Sequence, residues 1–82
     1  MAKKRAYKII DVHGWSAEQA KRALEFELRR APQGTEKILV IHGCNNGTVL
    51  RDTVRFGLDS PRIREVMPCF ANDGESTIYL RD

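Results

Sequence analysis

The sequence predicts an α/β two-layer sandwich with the element order β-α-β-α-β-β and a four-stranded mixed sheet. Strand-like apolar stretches alternate with helix-like segments, glycine or proline marks the junctions, and Asn72-Asp73-Gly74 is a hairpin turn signal before the last strand. Right-handed crossovers make the early strands parallel, whereas the closing hairpin is antiparallel. At 82 residues the chain has room for one domain, 1–82, with a core spanning about residues 7–81.

The first half of the chain reads as a strand followed by a capped helix. Ala6 to Val12 is the predicted first strand, and Ser16 with Gln19 forms a capping box at the start of the helix. Pro32 and Gly34 end that helix. Its apolar stripe consists of Ala17, Ala20, Leu24, Leu28 and Ala31. Two i,i+4 ion pairs are expected on its surface, Glu18 with Arg22 and Glu25 with Arg29.

The second half supplies three more strands and one helix. Lys37 to His42 is apolar on both faces, which is typical of a central, covered strand. Pro68 places the third strand at a sheet edge or at a strand end. The remaining predicted elements are a loop at 43–47, a helix from Thr48 to Leu58, a strand from Ile63 to Met67 and a strand from Thr77 to Arg81.

Two strands of this plan end in the same His-Gly pair, at His13-Gly14 and at His42-Gly43. Parallel strands bring both pairs to the carboxyl edge of the sheet, where ligands bind in open α/β folds. Asp11 shares a strand face with His13, and a carboxylate there can fix the imidazole tautomer, which is half of an acid/base arrangement. The alternative interpretation is that Asp11 caps a loop and His13 is a polar strand end.

The loop after His42 has the features of an anion site. Glycines allow backbone amides to turn inward, and the following helix N-terminus adds partial positive charge. The candidate phosphate-binding residues are Gly14, Gly43, Asn45, Gly47, Thr48, Arg51 and Arg55. The loop is neither a Walker loop nor a dinucleotide fingerprint, because its glycine spacing fits neither. It could equally be a tight βα connection with solvated arginines.

Two aromatic residues leave alternatives open. Trp15 precedes the helix cap, where it could form a hydrophobic staple with Ala20 or stack on a base at the same edge. Phe26 lies opposite the apolar stripe among arginines. It could be covered by the segment around Tyr7, form a dimer contact, or bind nucleic acid.

Composition narrows the class of protein. The formal charge of +3 fits a polyanionic partner without requiring one, and no stretch approaches the length of a membrane span. The two cysteines have neither a C-x-x-C nor a metal-ligand spacing, and no signal peptide precedes them. A reduced cytoplasmic protein with no membrane partner is therefore expected.

Three motifs resemble those of the Smr (small MutS-related) domain. Asp11-Val12-His13-Gly14 is similar to the family's opening L-D-L-H-G, and Val40-Ile41-His42-Gly43 with Val49-Leu50-Arg51 is similar to H-G-x-G before a leucine-arginine helix start. Residues 73–80 are similar to the closing G-x-T-x-V-x-L strand. The resemblance spans about residues 7–81. Asn45 departs from it by replacing the second glycine of H-G-x-G, and Gly47 could take over that role.

The resemblance implies binding to DNA or RNA and a nicking endonuclease activity, and the family name points to DNA repair. Carried onto this chain, it makes Asp11, His13 and His42 the candidate catalytic residues. No dedicated metal site is predicted, although cleavage of DNA by water would favour Mg²⁺ or Mn²⁺. The alternatives are a nucleic-acid-binding module without catalysis and a protein-interaction domain, including a homodimer.

Overall fold

The computed structural model describes residues 6–43 and 48–81, and it confirms the predicted element order. The elements are β1 (Ala6–Asp11), α1 (Ala17–Arg30), β2 (Thr35–Ile41), α2 (Val49–Phe56), β3 (Ile63–Pro68) and β4 (Glu75–Leu80). No helix among these residues is long and apolar enough to cross a membrane. The loop residues Cys44, Asn45 and Gly47 lie outside the described part of the chain.

The four strands form one mixed sheet in the order β1-β2-β4-β3. β1 pairs with β2 in parallel, and β4 is antiparallel to both β2 and β3. The strands β1, β2 and β3 therefore run in the same direction, and their carboxyl ends meet at one edge of the sheet together with the β3–β4 turn. β3 is an edge strand that ends at Pro68, which agrees with the placement predicted from that proline.

Both helices cover one face of the sheet. Ser16 accepts a hydrogen bond from the Gln19 amide (3.1 Å) and its own amide donates to the Gln19 side chain (3.2 Å), so the predicted capping box is confirmed. The buried core formed by the described residues consists of Val12, Ala20, Leu24, Leu28, Ile38, Val40, Val54, Ile78 and Leu80. The opposite sheet face is open, since Ile9 is 54 % exposed and Met67 39 %.

Three elements, β2, β4 and α2, differ from the predicted ones by two residues at one end, while β1 and β3 differ by one residue. β2 begins at Thr35 because it pairs with Ala6 of β1, which extends the strand ahead of Lys37. β4 begins at Glu75, since the amide of Glu75 closes the preceding turn on the Asn72 carbonyl and pairing starts at once. α2 spans Val49–Phe56 rather than 48–58, and the amide of its capping residue, Gly57, bonds the Thr53 carbonyl.

The two predicted surface ion pairs of α1 are wrong. The Glu25 carboxylate instead binds the ammonium of Lys21, one turn earlier, at 2.6 Å. It also accepts the backbone amide of Asp59 at 2.6 Å, which explains its position on that side of the helix. Among the described residues, Glu18 and Arg22 form no ion pair.

Candidate functional site

The first His-Gly turn presents an exposed carboxylate–imidazole pair. Asp11 Oδ1 lies 2.5 Å from His13 Nδ1 and also accepts the His13 amide at 3.0 Å. Val12, between them, is fully buried, so strand alternation places both polar side chains on the opposite face. The side chains of His13 and Asp11 are 68 % and 49 % exposed. This pair therefore stands in solvent at the carboxyl edge of β1.

The contact fixes the protonation of both groups. A carboxylate oxygen only accepts hydrogen bonds, so His13 Nδ1 carries a proton and donates it to Asp11. The side-chain hydrogen bond from His13, followed by its backbone one, lowers the pKa of the Asp11 carboxyl below the ordinary 3.8. None of the described residues bonds His13 Nε2. In the neutral ring that atom is an acceptor which faces solvent, so it can take a proton from a bound group and return it afterwards.

The second His-Gly turn is built differently, because His42 is only 3 % exposed. Its Nδ1 lies 2.9 Å from the Gly43 carbonyl oxygen, and its Nε2 lies 2.9 Å from Ser76 Oγ. The carbonyl can only accept, so Nδ1 is protonated and the Ser76 hydroxyl donates to Nε2 in the neutral ring. Arg55 Nε in turn donates to Ser76 Oγ at 3.0 Å. Both ring nitrogens of His42 are therefore engaged inside the protein.

Three glycines join the ends of β1, β2 and the β3–β4 turn. Gly14 and Gly43 have φ of 80° and 81°, a left-handed conformation that favours glycine. A Cβ on Gly43 would lie 3.5 Å from the His13 Cβ, so the backbone of Gly43 packs directly against His13. The Gly74 carbonyl accepts the amides of His42 (2.8 Å) and Gly43 (2.9 Å). The β3–β4 turn is thus fastened to the same edge.

The predicted arginines lie under this turn. Arg51 and Arg55 side chains are 28 % and 17 % exposed, and they approach the Asp73 carboxylate at 3.6 and 3.8 Å. Arg51 Nε and Arg55 Nη2 are buried without a hydrogen-bond partner. Thr48 is exposed and its side chain makes no cap bond to α2. Arg51 is the arginine better placed to meet a ligand, because Arg55 is directed inward onto Ser76.

Sequence reasoning missed Asp73, Gly74 and Ser76. Asn72-Asp73-Gly74 was readable as a turn, and the structure shows the Asn72 side chain accepting the Gly74 amide at 2.9 Å. The sequence gives no sign that Asp73 opposes two arginines or that Ser76 binds His42, since those partners are far away along the chain. The described residues contain no group of three or more His, Cys, Asp or Glu that could hold a metal ion.

Comparisons with known proteins agree on one family. The sequence model of the Smr domain family matches residues 10–79 of this chain. Among solved structures, the crystal structure of the Smr domain of Thermus thermophilus MutS2 superposes with a TM-score of 0.81 at 21 % identity. The superposition covers 92 % of this chain and 99 % of that one, and it shows a shared fold. A search of curated proteins finds no match.

Proposed function

This chain belongs to the Smr domain family, which is associated with nucleic-acid binding, and we propose that it binds DNA or RNA at the edge built by its two His-Gly turns. We propose further that it nicks a phosphodiester there. The observation that carries this proposal is the exposed pair of Asp11 and His13, in which Nδ1 is held and Nε2 is left to solvent. An imidazole oriented in this way is the usual general acid/base of a neutral-pH reaction.

His13 Nε2 would take the proton of the attacking oxygen. With RNA that oxygen is the neighbouring 2′-hydroxyl: its bond to phosphorus forms, the bond from phosphorus to the 5′-oxygen breaks, and the 5′-oxygen takes the proton from the imidazolium. With DNA the attacking group is water, and Mg²⁺ or Mn²⁺ would be a more natural helper. Asp11 would hold the ring and stabilise the imidazolium, since its carboxylate accepts from Nδ1.

Phosphate contacts would come from the surrounding backbone and from one arginine. The turns at Gly14 and Gly43 allow close approach of a phosphate to the chain. Arg51 Nε is a donor without a hydrogen bond, 3.6 Å from the Asp52 carboxylate. Asn45, Gly47 and Thr48, the other residues predicted from the sequence to contact phosphate, stay predictions. Arg55 would not contact the phosphate itself but would support the site from behind, since it donates a hydrogen bond to Ser76.

We assign His42 a positioning role instead of a share in proton transfer. Its ring is 3 % exposed and both nitrogens are occupied, so it has no path to a substrate in this structure. Its bonds to Gly43 and Ser76 hold the β2 turn against β4. That turn in turn lies against His13. Catalysis by a single histidine follows from this assignment.

A binding module without catalysis is the second candidate. Asp73 lies near both arginines and offsets their charge, and Asn45 replaces a glycine of the family motif. Both features weaken a phosphate cradle. The homodimer predicted from the sequence stays a prediction. The cytoplasm is the compartment we propose, on the basis of the cysteine spacing alone.

The test compares two exposed carboxylates. Purified wild type, Asp11→Asn and Glu65→Gln are incubated with supercoiled plasmid and with structured RNA, with and without Mg²⁺ or Mn²⁺. Glu65 is the control because it is exposed and lies within β3, the edge strand on the far side of the sheet from β1. Nicking that is lost in Asp11→Asn and kept in Glu65→Gln supports the nuclease. Salt-sensitive binding without nicking in any sample supports the binding module instead.

A further inference from the structure

We propose that the outward face of α1 is a second binding surface, for single-stranded nucleic acid that leads away from the candidate site. This surface, the α1 ribbon, consists of Trp15, Gln19, Arg22, Phe26 and Arg29. The proposal rests on the nucleic-acid binding proposed above, but not on cleavage. It assigns a role to the two aromatic residues whose place the sequence left open.

The ribbon is one continuous stripe. Gln19, Arg22, Phe26 and Arg29 follow each other at intervals of three, four and three residues, which is the repeat of one helix face. Trp15 lies four residues before Gln19, directly ahead of the helix cap. Two surface depressions lie along it and share Arg22. One of about 430 Å³ is lined by Trp15, Gln19 and Arg22. The other, of about 740 Å³, runs past Phe26 and Arg29 and faces residues 59–62.

The ribbon begins at the candidate site. Trp15 follows directly on the His13-Gly14 turn, and its amide is held by the Val12 carbonyl at 3.0 Å. Within the helix, the rise of about 1.5 Å per residue puts Phe26 roughly 10 Å along the axis from Gln19. A strand that leaves the His13 edge can therefore follow α1 over several nucleotides.

Its aromatic members are available for stacking. Trp15 is 43 % exposed and Phe26 46 %, while the core uses the opposite side of α1. The guanidinium groups of Arg29 and Arg30 lie 5.9 and 5.1 Å from the centre of the Phe26 ring. Aromatic rings flanked by arginines are the platforms on which single strands stack their bases. A duplex hides those base faces, so the ribbon should prefer unpaired strands.

The unpaired charges on the outward face of α1 are mostly positive, which suits binding of a polyanion. The carboxylates of Glu25 and Glu27 are already paired, with Lys21 at 2.6 Å and with Lys8 at 2.7 Å. Within the described part of the chain, the arginines of this face have no carboxylate within ion-pair distance; they are Arg22, Arg29 and Arg30. Glu18, on the flank of the ribbon, is the nearest acidic residue of the helix without a cation partner among the described residues. The ribbon itself therefore contains two arginines and no carboxylate. Asp59, which lies 3.5 Å from the Lys21 ammonium, faces it across the larger depression.

Arg62, which also lines the larger depression, is engaged by the fold itself. Its Nη1 donates to the carbonyls of Leu28 (2.9 Å) and Ala31 (2.5 Å) at the end of α1. It fixes the wall of the groove, so the test leaves it unchanged. The variable contacts are Phe26 and Arg22, neither of which is buried.

Trp15 is the only tryptophan of the chain, so its fluorescence reports directly on the ribbon. The experiment titrates the full chain with single-stranded oligonucleotides of about 4 and about 16 nucleotides, the range of site sizes on single-strand binding folds. The same titration is run with a duplex and with polyglutamate. We expect quenching by the single strands, tighter binding of the longer one, and weaker binding of the duplex.

The variants are Phe26→Ala and Arg22→Gln, each with a matched control. Phe56→Ala removes an aromatic that is 82 % exposed on α2, and Arg64→Gln removes an exposed arginine on β3. Phe26→Ala should weaken binding of the long strand about tenfold, within the range for a lost stacking contact. Arg22→Gln should reduce the salt slope by about one. The controls should bind as wild type.

Two results would contradict the proposed α1 ribbon without contradicting nucleic-acid binding at the His-Gly edge. One is binding of the long strand by Phe26→Ala with wild-type affinity. The other is quenching by polyglutamate as strong as the quenching by the long strand. Absence of any salt-dependent binding by the wild-type chain would instead contradict the proposed function as well. Circular dichroism confirms that each variant is folded before it is titrated.

Discussion

The two His-Gly turns have nearly the same sequence and opposite environments. His13 is exposed and held by Asp11, two residues away. His42 is buried and held by Ser76, 34 residues away. The cause is register: Asp11 pairs with Ile41, so the phrases Asp11-Val12-His13 and Val40-Ile41-His42 are one residue out of step. A shift of one residue moves a side chain to the other face of a sheet.

The comparison teaches that a repeated motif need not repeat its chemistry. Ile38 and Val40 are on the core face of β2, and alternation continues that face to His42. In β1 the core face continues to Val12, which leaves His13 outside. One imidazole is therefore presented to solvent, and the other holds the edge together.

The largest expected effect is on activity, from His13→Ala. Removal of a general acid/base costs roughly 10²- to 10⁴-fold in rate, so nicking by this variant should fall by that factor. Thermal unfolding should change little, because the side chain is exposed and its hydrogen bond to Asp11 lies in solvent. The measurement is the initial nicking rate together with the melting temperature. A variant that nicks at the wild-type rate would remove His13 from the mechanism.

The next effect is on stability, from His42→Ala. The substitution leaves the fully buried Ser76 hydroxyl without its acceptor, which costs about 1–3 kcal/mol. For a domain of this size the melting temperature should fall by about 4–8 °C for each kcal/mol. Ser76→Ala is the matched variant, since it removes the other side of the same bond. An unchanged melting temperature in both would show that the buried bond does not support the fold.

Substitution of the glycine should have a similar effect on stability in the two His-Gly turns. Gly14 and Gly43 share a left-handed φ near 80°, so alanine at either position should cost about 1–2 kcal/mol of backbone strain. Neither new methyl group meets a severe clash, the nearest contact being the His13 Cβ at 3.5 Å from the Gly43 position. Urea unfolding of the two variants measures the costs. A large difference between them would mean that the turns are not equivalent in backbone.

The smallest effect is on the titration of Asp11. Its folded pKa is lowered below 3.8, chiefly by the hydrogen bond from His13. A lowered carboxyl pKa adds stability above the unfolded value, and this contribution is lost as the pH falls through the folded pKa. NMR titration of the Asp11 carboxyl should give a midpoint below 3.8 in wild type and in His42→Ala. In His13→Ala it should rise toward 3.8; an unmoved midpoint would contradict the pairing.

The sequence was sufficient for the fold because its signals are local. The capping box at Ser16, the apolar stripe through Leu24 and the edge proline Pro68 each specify an element from a few neighbouring residues, and the structure agrees with them. The pairing of Asp11 with His13 was also within reach, since the two residues are on one strand face.

The rest depended on contacts that no local pattern contains. β2 is apolar on both faces, so its sequence does not indicate whether the His42 side chain lies on the core face or on the open face of the sheet. Arg51 and Arg55 read as free phosphate ligands until the β3–β4 turn brings Asp73 within 4 Å of them. Glu25 has a cation one turn away on either side, Lys21 and Arg29. Its hydrogen bond to the Asp59 amide holds the carboxylate on the side of Lys21, with which it forms the ion pair.

The most direct test of this account is chemical modification of the two histidines by diethyl pyrocarbonate, followed residue by residue with mass spectrometry. The account predicts rapid modification of His13 with parallel loss of nicking, and protection of His42 until the chain unfolds. Modification of both rings at the same rate in the folded protein would contradict the division between one reactive and one structural histidine.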